Sequence, residues 1–210
     1  DTKVKLGVVR NGIKDRLEFI VTRDKIPVST VDAAFMVTPT VGLIRLSSFG
    51  STSHDEVKKA IKDLQDQGMK DLILDLQQNG GGYMDAAINM INEFMPEGRL
   101  IVYTEGKSFP RSDVYANGTG TCKDAPIVVL TDEISASASE IFSGAIQDND
   151  RGTIIGRRTY GKGLVQTQMS LSDGSEMRLT IARYYTPSGR CIQKKYEMGN
   201  TDAYDQDIYN

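Results

Sequence analysis

Asp71-Leu-Ile-Leu-Asp-Leu76 runs without a break into Gln77-Gln-Asn-Gly-Gly-Gly82. A helical pattern starts near Tyr83, with Ala87, Met90 or Ile91, and Phe94 on one face. A short, continuously apolar run bounded by turn residues is the pattern of a strand covered on both faces. The same order recurs downstream. Pro126-Ile-Val-Val-Leu130 reads as a second buried strand, and a helix from about Ser137 buries Ala138, Ile141, Phe142 and Ala145. Upstream, Gly42-Leu-Ile-Arg-Leu46 is extended and precedes Ser53-x-x-Glu56, the spacing of a capping box. Val57, Ala60, Ile61 and Leu64 then follow at helical spacing, and Gly68 ends the helix. Thr153-Ile-Ile155 adds a short strand. Strands alternating with helices from 42 to 156 predict an α/β core with largely parallel pairing.

The flanking segments have a different period. Val4, Leu6, Val8 and then Leu17, Phe19, Val21 alternate on either side of Asn11-Gly12, a hairpin signal. Leu164–Leu171 and Met177–Ala182 flank Ser172-Asp-Gly-Ser175, a second hairpin. Leu100-Ile-Val-Tyr103 reads as a strand, residues 104–124 as a polar, glycine-rich loop, and Gly199–Asn210 as an acidic stretch without period. The 210 residues are 39% hydrophobic and 25% charged, a globular composition, and no apolar run is long enough to cross a bilayer. A net charge of −3 argues against nucleic acid as a partner. The single histidine, His54, excludes polyhistidine metal sites, and Cys122 and Cys191 lack zinc-site spacing. Neither a metal nor an organic cofactor is expected. The chain opens on Asp1 with no signal-like apolar segment, so any targeting signal is expected to lie outside it.

Chemistry is expected at the two strand-to-helix junctions. Three successive glycines at 80–82 let main-chain N–H groups face a ligand, to cradle a phosphate or stabilise an oxyanion; a flexible turn is the plain alternative. Ser137 begins a helix, where the N–H of the next residue is unbonded and can hold an oxyanion. Ser137-x-x-Glu140 is equally a capping box. A serine nucleophile needs a base. His54 lies beside the first helix cap, an ordinary place for a solvated histidine. Lys162 stands between Gly161 and Gly163, a setting that suits a residue whose backbone approaches something closely. A lysine is a base only when neutral, so its ordinary pKa of roughly 10.4 must fall by a few units, which burial supplies. Gln166 shares a strand face with positions 162 and 164 if the strand begins promptly, and could orient a neutral amine. Asp148 lies about 16 Å along a straight helix from Ser137 and is expected to pair near Arg151 instead. Gly156–Gly163 follows the P-loop pattern except at its last position, where glycine replaces the magnesium-binding hydroxyl. A strand rather than a helix follows, so nucleotide binding is rejected as the primary reading.

Ser135-Ala-Ser-Ala-Ser-Glu-Ile141, then Gln147-Asp148, then Tyr160-Gly-Lys-Gly-Leu-Val-Gln166 resemble the carboxy-terminal processing, or tail-specific, proteases. The spacing from Ser137 to Lys162 fits that family. Asp75-Leu-Gln-Gln-Asn-Gly-Gly-Gly82, Leu171-Ser-Asp-Gly-Ser175 and Ala182-Arg-Tyr-Tyr-Thr-Pro-Ser-Gly189 are similar to its other motifs, and the resemblance covers residues 2 to 195. It implies a serine endopeptidase that cleaves proteins near their C-termini through an acyl-enzyme, on a crotonase-like (Clp-protease-like) α/β core. Ser137 would be the nucleophile, Lys162 the general base and Gln166 the residue that orients the lysine. The N–H groups of Gly82 and Ala138 would form the oxyanion hole. The implied layout is a strand remnant of a PDZ domain at 1–25, the peptidase core at 26–197 and the start of a further segment at 198–210. Substrates would be proteins or peptides held by their C-terminal tails, a homo-oligomer is left open, and bacterial members work in the periplasm or cell envelope. The family commonly has Arg at the position of Gln77, Pro at that of Gly80 and Glu-Pro at that of Arg157-Arg158. Because PDZ docking often controls these enzymes, the alternative is a non-catalytic peptide-binding or scaffold fragment.

Overall fold

The computed structural model describes residues 2–24 and 28–195. In chain order these form β1 (Lys3–Val8), β2 (Leu17–Thr22), β3 (Val31–Met36), β4 (Val41–Leu46), α1 (Ser53–Gln65), β5 (Asp71–Asp75) and α2 (Met84–Asn92). There follow β6 (Leu100–Gly106), β7 (Phe109–Tyr115), β8 (Ile127–Thr131), α3 (Ala138–Asp148), β9 (Thr153–Gly156), β10 (Leu164–Ser170) and β11 (Glu176–Tyr185). The acidic stretch 199–210 lies outside the described residues.

The main sheet has the order β3-β4-β5-β8-β9. β4, β5, β8 and β9 pair in parallel, and β3 adds antiparallel to β4. The α/β core expected from the alternating pattern is therefore present, with β5 central. Leu72, Leu74 and Leu76 are sealed from solvent. Val57, Ile61 and Leu64 of α1 and Ala87, Met90 and Ile91 of α2 close the core, as the helical spacing predicts. A second, antiparallel sheet has the order β10-β11-β6-β7. α3 touches both β9 and β6 and so bridges the two sheets. Its Phe142 is fully buried, 5.8 Å from the Phe94 ring in an edge-on contact and 6.4 Å from Phe49.

Three local expectations are corrected. Residues 104–124 are not all loop, because β7 pairs antiparallel with β6. β7 is an edge strand exposed at nearly every residue, so it has no apolar alternation to betray it. β3, another edge strand, carries only a weak alternation and has no counterpart in the sequence-derived pattern. At α1 the residue before the helix is Thr52, and Glu56 turns away from Ser53 to accept from the N–H groups of Thr30 (2.7 Å) and Val31 (3.1 Å). Burial works against the Glu56 charge. Hydrogen bonds from Thr52, Thr30, Ser29 and Val31 outweigh it and bring the carboxyl down to about 2.

β1 and β2 form a hairpin that pairs with no other described strand. Phe19, Ile20 and Val21 on it are exposed, as are Met169, Leu171, Met177 and Leu179 toward the outer end of β10 and β11. Phe142→Ala is expected to cost about 3–5 kcal/mol by leaving a cavity between Phe49 and Phe94. Urea denaturation followed by circular dichroism measures it.

Candidate active site

β5 and β8 are parallel neighbours, and the loops that leave their C-terminal ends lie side by side. This is where open α/β sheets place ligands. The first loop carries the glycines and the second carries Ser137. Asp132, 1% exposed, joins them: its carboxylate accepts from Gln78 N–H at 3.0 Å and from the Ile134 and Ser135 N–H groups at 3.0 Å. Burial alone would raise the Asp132 carboxyl, but these donors outweigh it and hold it below the usual carboxylate range. Ser135 Oγ donates to the Leu76 carbonyl at 2.8 Å and Ser139 Oγ to the Asn79 carbonyl at 2.9 Å. The Ala136 N–H also ends on Asn79 O, at 3.1 Å.

Ser137 stands one residue before α3 with φ +57° and ψ −110°, a conformation that costs a non-glycine residue about 1–3 kcal/mol. Two contacts hold it there. Its N–H donates to Glu140 at 2.8 Å. Gly81, itself at φ +97°, lies so close that a Cβ on it would sit 2.9 Å from both Ser137 Cβ and Ala138 N. Gly82 packs on Phe49, where a Cβ would meet the Phe49 carbonyl oxygen at 2.2 Å. Phe49 and Gly82 form a parallel bridge through Phe49 N–H to Gly81 O and Tyr83 N–H to Phe49 O. Among the described residues, no acceptor takes the N–H of Gly82 or of Ala138.

Glu140 does more than cap α3. Its carboxylate is 5% exposed and accepts from Gly161 N–H at 2.6 Å and Lys162 N–H at 2.8 Å as well as from Ser137. Burial pushes this carboxyl above its ordinary value, against hydrogen bonds from the Thr159 side chain and the three N–H groups. The spacing Ser137-x-x-Glu140 was visible in the sequence, but not the reach to the lysine loop.

Lys162 occupies the connection from β9 to β10, with Gly161 and Gly163 buried and its own side chain exposed. Its amine and the Ser137 hydroxyl share no hydrogen bond; the two residues are linked through Glu140, whose carboxylate accepts from the main-chain N–H of each. Gln166 lies on β10 beyond a register shift between Val165 and Gln166, and its amide donates to Thr180 Oγ1 at 3.3 Å. β10 begins only at Leu164, after Lys162, so the condition for a common strand face is not met. Asp148 does not pair with Arg151. It accepts from the Ser188 N–H at 3.0 Å and hydroxyl at 2.6 Å and pairs with Arg190. Arg151 turns under the 122–125 loop and donates to the carbonyls of Phe94, Cys122 and Ala125. His54 is held by Glu93 at 2.9 Å. Among the described residues, no group of three or more His, Cys, Asp or Glu side chains is placed to hold a metal. The segment after Gly163 is a strand, so it offers no helix N-terminus for a nucleotide phosphate.

The site thus sets two adjacent loops, one glycine-rich and one presenting a serine in a strained turn beside open N–H groups, at the C-terminal edge of a parallel sheet in an α/β protein. The chain belongs to peptidase family S41, whose model matches residues 40–202. It is 41% identical over 197 residues to the carboxyl-terminal-processing protease of Synechocystis sp., covering 92% of this chain and 46% of that protein. It is 38% identical over 194 residues to the carboxy-terminal processing protease of Bacillus subtilis, covering 92% and 41%. Among solved structures, the photosystem II D1 C-terminal processing protease matches with a TM-score of 0.73 and 32% identity, over 92% of this chain and 53% of that one. An S41 protease structure from Bacteroides fragilis, at 17% identity and TM-score 0.64, shares the fold. The chain thus spans less than half the length of these two sequence relatives.

Asp132 gives a pH dependence with a definite sign. Its carboxyl is lower in the folded chain than in the unfolded one, so its stabilisation is complete above the ordinary carboxylate range and is lost as pH falls through the folded value. Asp132→Asn is expected to cost about 1–3 kcal/mol at neutral pH. The variant's urea midpoint should fall less between pH 7 and pH 3 than the parent's.

Proposed function

We propose that the chain is the catalytic core of a serine endopeptidase that cleaves protein substrates near their C-termini through an acyl-enzyme. Ser137 is the nucleophile, Lys162 the general base, and the N–H groups of Gly82 and Ala138 the oxyanion hole. The observation that carries the proposal is the common carboxylate: Glu140 binds the main chain of both Ser137 and Lys162. The open N–H groups of Gly82 and Ala138 beside the serine support it, as do the names of the S41 relatives. The core is read as crotonase-like, with residues 1–25 as PDZ strands and 26–197 as the peptidase. Substrate tails would be captured by a PDZ domain. The periplasm or cell envelope is the proposed location, in line with the bacterial relatives.

Lys162 acts as the base in this scheme, with substrate closing over its amine and excluding water. Its lone pair takes the Ser137 hydroxyl proton as Oγ attacks the scissile carbonyl. The resulting oxyanion is held by the two N–H groups, each worth about 3 kcal/mol in related sites. When the tetrahedral adduct collapses, the C–N bond breaks and the Lys162 ammonium returns its proton to the leaving amine. Water, deprotonated by the same amine, then cleaves the Ser137 ester. In this scheme Gln166 orients the amine only after it turns from Thr180. The exposed amine supports a second reading, a resting arrangement or a peptide-binding core that performs no hydrolysis.

Ser137→Ala and Lys162→Ala in the full-length protein are each expected to lower cleavage of a tail-bearing protein at least about 10³-fold. Gel-based turnover assays measure this, and activity retained by either variant rejects the assignment.

A further inference from the structure

Every main-chain N–H of Gly161-Lys162-Gly163 ends on a side chain from elsewhere in the sequence. Those of Gly161 and Lys162 end on Glu140, and that of Gly163 donates to Gln193 Oε1 at 3.0 Å. The Gly161 carbonyl accepts from Lys194 N–H at 2.9 Å and the Gly163 carbonyl from Tyr184 N–H at 2.8 Å. Gln193 is itself oriented, since its Nε2 donates to the Lys194 carbonyl at 3.1 Å. Its segment is tied to β11 by Ile192 N–H to Tyr184 O at 3.1 Å and by the bridge between Tyr185 and Cys191.

Close approach explains both glycines. A Cβ at Gly163 would lie 2.4 Å from Gln193 N, and one at Gly161 would lie 2.8 Å from Lys194 Cβ. The tripeptide therefore takes its shape from two polar side chains, Glu140 and Gln193, and from the strap 191–195. Little of that shape is intrinsic to its own sequence, because two of its three residues are glycine.

We propose that Gln193 is a positioning residue for Lys162: by holding the Gly163 N–H it fixes the lysine backbone from its C-terminal side, as Glu140 does from its N-terminal side. The inference rests on the reading of Lys162 as the base. It makes the position of the amine depend on the strap after Gly189, far from the serine loop in sequence.

The test uses Gln193→Ala and Gln193→Glu in the full-length protein, the second keeping an oxygen toward the Gly163 N–H. Amide hydrogen exchange by mass spectrometry reads the peptide spanning 160–164, with that spanning 71–76 as control. Gln193→Ala should speed exchange at 160–164 up to about 10-fold, the worth of one hydrogen bond, with the control unchanged. Its kcat should fall about 10-fold at a KM within twofold, and Gln193→Glu should restore most of both. Unchanged exchange in Gln193→Ala overturns the clamp. Faster exchange with unaltered kcat, or a rise in KM alone, overturns the positioning role, as does acceleration that spreads to the control peptide. A parent protein that cleaves nothing while its Lys162 loop behaves as described would instead defeat the Ser/Lys reading, and the exchange data would still decide the clamp.

Discussion

One buried carboxylate, that of Glu140, accepts main-chain hydrogen bonds from Ser137, Gly161 and Lys162. An anion with 5% exposure persists there only because donors surround it on all sides. Those donors belong to two loops that share no strand, so satisfying the charge forces the loops together. The strained φ of Ser137 becomes affordable in the same step, since its N–H is what the carboxylate requires. Burial still wins over the donors and lifts the carboxyl, so a proton is held on it over a window above the ordinary range. Folded-state stability from this group therefore declines as pH rises through that window, opposite in sign to Asp132.

The two carboxylates divide the work. Asp132 fastens the glycine loop to the serine loop across the parallel neighbours β5 and β8, and Glu140 fastens the serine loop to the lysine loop that leaves the next parallel strand, β9, for the second sheet. Gly81 completes the assembly by presenting backbone where any side chain would strike Ser137. The polypeptide around Lys162 is fixed while its side chain is left exposed. Asp148, Ser188 and Arg190 anchor the turn that leads into the strap 191–195, which connects the far end of α3 to the same lysine loop.

Local patterns in the sequence revealed what local physics determines. The β5 run, the glycines after it, the helical faces of α1 and α2 and the start of α3 at Ser137 all follow from periodicity and end signals. What escaped depends on partners distant in the chain. β7 is paired but exposed, so its residues need no apolar alternation. Ser53 and Glu56 have capping-box spacing, yet Glu56 finds better donors at 29–31, and nothing near it in sequence announces them. Asp148 and Arg151 are close along the helix, but three unpaired carbonyls draw the arginine one way and Ser188 holds the aspartate another. Gln166 was read by strand parity from Lys162, but the strand starts only at Leu164. The glycines around Lys162 did signal a close approach; that the approaching group is Gln193 with its strap needed coordinates.

The β1–β2 hairpin and the outer end of β10 and β11, beyond the pairing with β6, have a colloidal consequence. Phe19, Ile20 and Val21 on one ribbon, and Met169, Leu171, Met177 and Leu179 on the other, meet solvent on structures too thin to cover them. A net charge of −3 gives only weak repulsion between molecules, and physiological salt screens it within about 8 Å. The apolar side chains on these ribbons are thus sites where contact between copies of this polypeptide strengthens with kosmotropic salt.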